Sequence, residues 1–147
     1  MKIHVGADHA GFQLKSHLAE RLASGPFEVV DHGTDSAERV DYPTFAAKVA
    51  RAVQGEPGSL GLIVCGSGIG VSMTANRFDG VRAVVAANET QAVLSRQHND
   101  ANVLCLGERL TTSVVAERIL EAFLGAGFEG GRHEQRVALI DAVASAE

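Results

Sequence analysis

Residues 62–76 read LIVCGSGIGVSMTAN: an apolar run, Leu62–Val64, closed by Cys65 and followed at once by the loop Gly66-Ser67-Gly68-Ile69-Gly70. The segment after that loop is compatible with a helix. An apolar run, a glycine loop and a helix in this order predict a buried parallel strand with its carboxyl-end loop, the place where open α/β sheets bind ligands. Glycines let the backbone approach an anionic group, and the free N–H groups of the loop and helix start point at it. Those N–H groups also favour a thiolate over a thiol at Cys65. A proton acceptor beside an oxyanion cradle suits proton abstraction next to a carbonyl. The competing reading is a small core residue, as free cysteines often are. A strand end packed against glycines lies at a loop mouth, which favours chemistry.

Outward from this stretch, strand-like and helix-like segments alternate. Strands are expected at Lys2–Gly6, Phe27–Asp31, Leu60–Cys65, Val81–Ala87 and Val103–Leu106. Helices are expected at Gly11–Ser24, Tyr42–Gln54 with Pro43 in its first turn, Ser72–Phe78, Glu89–His98, Ser113–Leu124 and Glu134–Ala146. Repeated βα alternation with near-uniform apolar strands predicts a parallel, doubly wound sheet. The chain divides into an α/β body over 1–124, a glycine-rich hinge over 125–131 and a helical extension over 132–147, all one domain. The hinge can equally be a simple helix–helix loop. The basic, ligand-type residues after it, Arg132, His133 and Arg136, favour a functional extension.

A chain of 147 residues is long enough to bury a core without staples. With 46% hydrophobic and 21% charged residues it has an ordinary globular mixture, which argues against disorder. Thirteen Lys and Arg against 18 Asp and Glu leave a net charge of −5, so no basic surface invites nucleic acid or anionic lipid. No run approaches the roughly 20 apolar residues of a membrane span. MKIHVGADHAGF at the amino end has no long apolar stretch, so no signal peptide is expected. Cys65 and Cys105 each close or sit in an apolar run, which fits reduced thiols in a cytoplasmic enzyme.

Several motifs nearly match and fail. Gly6-Ala-Asp-His-Ala-Gly11 has P-loop spacing, but Phe12 and Gln13 stand where Lys and Ser or Thr are needed. The glycines at 66, 68 and 70 miss the third position of the dinucleotide fingerprint, although Glu89 lies near the distance of a ribose-binding acid. A nucleotide-binding module without chemistry therefore stays as an alternative. A thiol phosphatase loop would need arginine at position 71, which is Val71. The six histidines form no metal-ligand spacing, so no metal is expected. His4 and His17 are expected on the surfaces of a strand and a helix, and His32 in a loop.

Polar clusters gather near strand ends: Asp8-His9, Cys65–Gly70 and Arg96-Gln-His-Asn-Asp100, with Arg132-His133-x-x-Arg136 after the glycine break. Strand-end clusters can converge on one crevice in such folds. The stretches GADHAGF (6–12), ERVDYP (38–43), CGSGIGVSMTANR (65–77), RQHNDANVLCLG (96–107) and FEGGRHEQRV (128–137) resemble the type B ribose-5-phosphate isomerase family, relatives of the allose- and galactose-6-phosphate isomerases. The resemblance runs in order over nearly the whole chain.

It implies an aldose–ketose isomerase that interconverts ribose 5-phosphate and ribulose 5-phosphate through an enediolate, without metal or organic cofactor. A six-carbon sugar phosphate is the alternative substrate. Carried over residue by residue, Cys65 is the base, while Ser67 and the amides of Gly66, Gly68 and Gly70 stabilise the enediolate oxygen. His98, with Asp8 opposite and Tyr42 nearby, opens the furanose ring, and Asn99 holds sugar hydroxyls. His9, Arg109, Arg132 and Arg136 bind the phosphate, arginine being suited to it by paired donors. One branch of the family carries its base at the position of Val71, which cannot act. The resemblance further implies a three-layer α/β/α, Rossmann-like fold with a five-stranded parallel sheet. Its last helix packs on a partner, giving a homodimer, alone or within a tetramer, with shared sites. In that expectation Arg132 and Arg136 cross to the partner's site while Cys65 and His98 stay together on one chain.

Overall fold

A computed structural model describes residues 1–146. Its elements are β1 (Lys2–Ala7), α1 (Phe12–Ala23), β2 (Glu28–Asp31), α2 (Tyr42–Gly55), β3 (Leu60–Cys65), α3 (Ile69–Ala75), β4 (Ala83–Val85), α4 (Glu89–Asn99), β5 (Val103–Gly107), α5 (Ser113–Gly125) and α6 (Arg132–Ser145). The five strands form one sheet in the order β2-β1-β3-β5-β4, every neighbouring pair parallel. Among the described residues no helix is long and apolar enough to cross a membrane.

Strand residues alternate between two cores, which explains why the strands read as unbroken apolar runs. Ile3, Val5, Leu62, Val64, Leu104 and Leu106 face a cluster shared with α1, α4 and α5. Ile63, Cys65, Val103 and Cys105 face the opposite cluster with α2 and α3. Helix α2 lies close because the sheet is glycine beneath it. A Cβ on Gly6 would come within 2.8 Å of Val49, and one on Gly61 within 3.0 Å of both Val49 and Val103. Such an approach leaves no space for water and maximises dispersion contact.

The connection leaving β1 runs to β2 on one side of the sheet, while the one leaving β3 runs to β4 on the other. The crevice beyond the carboxyl ends of β1 and β3 is thus a topological switch point. Two partly buried links brace it. Lys15 of α1, 1% exposed, sends its Nζ to Asp31 Oδ2 at 2.7 Å and to the Thr34 carbonyl at 2.8 Å. The Leu14 amide, unpaired within its own helix turn, donates to Glu108 Oε1 at 3.1 Å.

Four local expectations are corrected. Helix α3 begins at Ile69 rather than Ser72, because Gly68 at φ 77° turns the chain straight into the helix and its carbonyl accepts from Ser72. Strand β4 shrinks to three residues. The amides of Arg82, just before it, and of Ala83, its first residue, donate to the side chains of Asn102 and Asn76 instead of to a longer ladder. The last helix starts at Arg132, two residues before Glu134. His4 is buried, its ring nitrogens sharing hydrogen bonds with His32 Nε2 at 3.0 Å and Glu56 Oε2 at 3.1 Å.

Candidate active site

The polar residues predicted from the sequence fall into two groups. The first lies at the carboxyl ends of β1, β3 and β5. Cys65 closes β3 and its Sγ accepts a hydrogen bond from the Gly68 amide at 3.1 Å. The loop that carries this amide is pressed onto β5: a Cβ on Gly107 would meet the Ser67 backbone at 2.6 Å. The Ser67 hydroxyl accepts from the Ile69 amide at 3.3 Å, and the Glu108 and Arg109 amides donate to the carbonyls of Cys65 and Gly66. The loop is therefore fixed from both sides before any ligand arrives.

Around it stand the other members of this group. Asp8, buried at the end of β1, accepts from the Gly11 amide at 3.0 Å through Oδ1. Gly11 itself presses on β3, since a Cβ there would lie 2.4 Å from the Val64 oxygen. The Tyr42 ring covers Gly70, whose Cβ would come within 2.6 Å of it, and the Arg109 guanidinium lies along Gly66. His9 is half-buried, and its Nδ1 meets the backbone of Val40, whose amide stands 3.2 Å away. Arg109 is exposed and has no ion-pair partner among the described residues, which leaves its fork free for an anion.

Neighbouring groups separate the two cysteines. Cys105 faces the same core as Cys65, two residue pairs down the β3–β5 ladder. Complete burial, and after it the nearby Cys65, pushes its thiol far above the ordinary range. Both cysteines are free. The Glu108 carboxyl is also raised, by burial first and then by the charge of Asp8, against the opposing Leu14 hydrogen bond.

The second group is His98, Asn99, Arg132, His133 and Arg136. The His98 and His133 rings stack with centroids 4.5 Å apart and planes 12° from parallel. Burial, with His98 and then Arg132 beside it, holds the His133 imidazole below its usual pKa. The expected hinge is tied to α4 here, the Glu129 amide donating to the Gln97 carbonyl at 3.0 Å. Asn99, Arg132 and Arg136 are exposed. The two arginines have no ion-pair partner among the described residues.

These two groups do not meet. Helix α4 ends at Asn99, and the chain turns through Asp100 at φ 46° into β5 at Val103. That turn lies at the start of β3, because the Gly61 amide donates to the Asn102 carbonyl. Gly61 pairs with Val103 and Cys65 with Gly107, so His98 belongs to the opposite edge of the sheet. The offset along the strand is four residues, ~13 Å at about 3.3 Å per residue. The expectation that Cys65 and His98 act side by side within one chain is corrected. The reason is direction: a cluster just before a parallel strand sits at its amino end, not its carboxyl end.

Two contributors escape sequence reasoning. Glu108 follows β5 directly, at the same sheet edge as Asp8 and Cys65, and only the strand order β1-β3-β5 brings it there. Its signal is positional: every strand-end residue on this edge is a site neighbour. The second is Glu129, which joins His98 across more than 30 residues of sequence beside the already noted His133, so no local spacing ties it to His98.

The chain matches the family model described as "Ribose/Galactose Isomerase" over residues 3–140. It is 49% identical over 142 residues to "Ribose-5-phosphate isomerase B" of Escherichia coli (strain K12), covering 97% of this chain and 95% of that protein. Its fold superposes with a TM-score of 0.95 on ribose-5-phosphate isomerase B of Clostridium thermocellum, at 46% identity and with 98% and 97% of the two chains covered. The crystal structure of ribose-5-phosphate isomerase B from Mycoplasma genitalium with bound ribulose-5-phosphate is similar at a TM-score of 0.94. That pair is 40% identical and covers 99% of this chain and 97% of the other.

Proposed function

The chain belongs to the ribose/galactose isomerase family, and from that premise we propose how its own residues carry out the reaction. It is an aldose–ketose isomerase that interconverts ribose 5-phosphate and ribulose 5-phosphate. The observation that carries the mechanism is the 3.1 Å hydrogen bond from the Gly68 amide to Cys65 Sγ, at the mouth of a sheet whose rim presents an unpaired Arg109.

Cys65 takes the proton from C2 of the open-chain aldose and returns it to C1. The intervening enediolate places negative charge on oxygen, and the Gly66–Gly70 amides with the Ser67 hydroxyl stabilise it. Preorganised donors of this kind lower the barrier because they need no reorganisation as charge develops. The closed sugar ring has to open first. His98 serves there as acid and base, since an imidazole can donate a proton from one ring nitrogen and accept one at the other, with Asp8 opposite and Tyr42 nearby. Asn99 holds hydroxyls, and His9, Arg109, Arg132 and Arg136 hold the phosphate. Two free thiols fit a reducing compartment, and we read the enzyme as cytoplasmic.

One chain cannot supply this set at one place, because His98 and Cys65 belong to opposite edges of the sheet. A homodimer solves the problem. Helix α6 leaves Leu139, Ile140 and Val143 exposed, and Val143 shows 66% of its surface. Buried on a two-fold partner, this face would bring each His98, Asn99, Arg132 and Arg136 to the partner's Cys65 crevice. The division differs from the expected one in that His98 travels with the arginines.

The experiment is a direct assay of purified chain on ribose 5-phosphate beside six-carbon aldose 6-phosphates, with ketose formation as the readout. Efficient turnover of the pentose phosphate is expected. A hexose phosphate turned over better would move the enzyme to the six-carbon branch.

A further inference from the structure

We propose that His98, Glu129 and His133 form a binding site for a borderline-soft divalent cation, zinc(II) fitting best, and that its occupancy takes His98 out of the reaction. One ligand atom from each residue lies within 4.8 Å of the other two. The three side chains come from the end of α4, the loop 126–131 and the first turn of α6, and the Glu129–Gln97 backbone bond ties the loop to α4.

The donors are unspent. None of the three side chains makes a hydrogen bond to another described residue, and the nearest contact, His133 Nε2 to Glu129 Oε2, is 3.8 Å. A zinc ion with bonds of about 2.0–2.1 Å would draw these donors together by roughly an ångström and turn one imidazole out of the stack, because rings 12° from parallel do not aim their in-plane lone pairs at one point. The half-buried His98 and the exposed Glu129 have the freedom to supply that movement, while buried His133 serves as the anchor.

Donor chemistry selects the metal. Two imidazoles and one carboxylate match zinc, as in sites that keep a fourth position for water, and a single carboxylate is too few for calcium or magnesium. Arg132 and Arg136 stand on the same helix turn as His133 and oppose a cation. Glu129 offsets one of those charges, so the site suits binding that is reversible by a chelator.

The inhibitory half rests on the proposed role of His98, and the binding half does not. The test uses the intact, metal-free protein titrated with cobalt(II), a spectroscopic stand-in for zinc. One equivalent per chain is expected, with ligand-field bands in the visible and no thiolate charge-transfer band in the near-ultraviolet. Glu129→Gln lies on an exposed loop outside the proposed catalytic set. It should weaken binding about tenfold or more, at least the effect that outer-shell partners command, and leave turnover in chelator near wild type. Zinc should inhibit wild-type isomerisation, EDTA should restore it, and the variant should need about tenfold more zinc. A thiolate band would place the metal on Cys65 and overturn the site. So would no uptake or an affinity unmoved by Glu129→Gln, while binding without inhibition would overturn the inhibitory half alone. A protein lacking isomerase activity altogether would instead count against the functional reading and leave the cobalt spectrum to judge the site.

Discussion

Cys65 and Cys105 face one core from adjacent strands, yet only Cys65 Sγ receives a backbone N–H, from Gly68 at 3.1 Å. Cys105 is sealed, and its burial disfavours the thiolate. Cys65→Ala should therefore cost about 10²–10⁴-fold in turnover, the usual contribution of a positioned base. Cys105→Ala should leave the rate near wild type and show only a modest loss of thermal stability. Near-normal turnover by purified Cys65→Ala would remove the thiol from the mechanism.

Because His98 and Cys65 occupy opposite sheet edges, variants at the two positions should complement each other. Cys65→Ala and His98→Asn are each expected to be nearly inactive. Co-refolded in equal amounts, they should recover about a quarter of wild-type activity: half the two-fold dimers are mixed, and one of the two sites in each is intact. A mixture that stays inactive, with mixed dimers shown by native mass spectrometry, would mean that the sites are not shared in this way.

The Lys15–Asp31 pair should respond asymmetrically to truncation. Asp31→Ala leaves the Lys15 ammonium buried with only the Thr34 carbonyl, and should cost about 3 kcal/mol, the lower range for an orphaned buried charge. Lys15→Met removes the buried charge and leaves Asp31 half exposed, at a cost of about 1 kcal/mol or less. Urea unfolding at one fixed protein concentration measures both. Equal losses would mean that the pair contributes through packing, not charge.

Glu108 gives a pH dependence of known sign. Its folded-state pKa is raised above the ordinary 4.5, chiefly by burial, so the folded protein holds this proton more tightly than the unfolded chain does. The stabilising contribution is present at low pH and lost as pH rises through the folded value. Glu108→Gln keeps an acceptor for Leu14 and carries no charge. Its melting temperature should exceed wild type at pH 7 to 8, with the two curves converging as pH falls towards the carboxylate range. A variant less stable than wild type at neutral pH would show that the Leu14 hydrogen bond outweighs the burial cost.

Much of this molecule is legible in the chain. Leu60–Cys65 announces a doubly covered strand because both faces are apolar, and the loop after it announces a site because its glycines serve no packing purpose in a strand. What stays hidden depends on partners far apart. His4 interrupts an apolar run and reads as a surface residue, yet Glu56, 52 positions later, gives it a buried hydrogen bond. The start of α3 is obscured because Gly68 adopts a positive φ that sequence permits without demanding. His98 is recognisable as a functional residue, whereas its location requires counting direction: helices between parallel strands run back, so their ends lie across the sheet from the strand ends.

The opposed placement of His98 and Cys65 also affects how the enzyme responds to dilution. If each competent centre needs two chains, its formation is second order in protein, whereas its loss is first order. Specific activity would then fall on dilution below the dissociation constant of the pair and return with a lag on reconcentration. Chains defective in both halves that still associate would also sequester functional ones, lowering activity beyond their own share of the population.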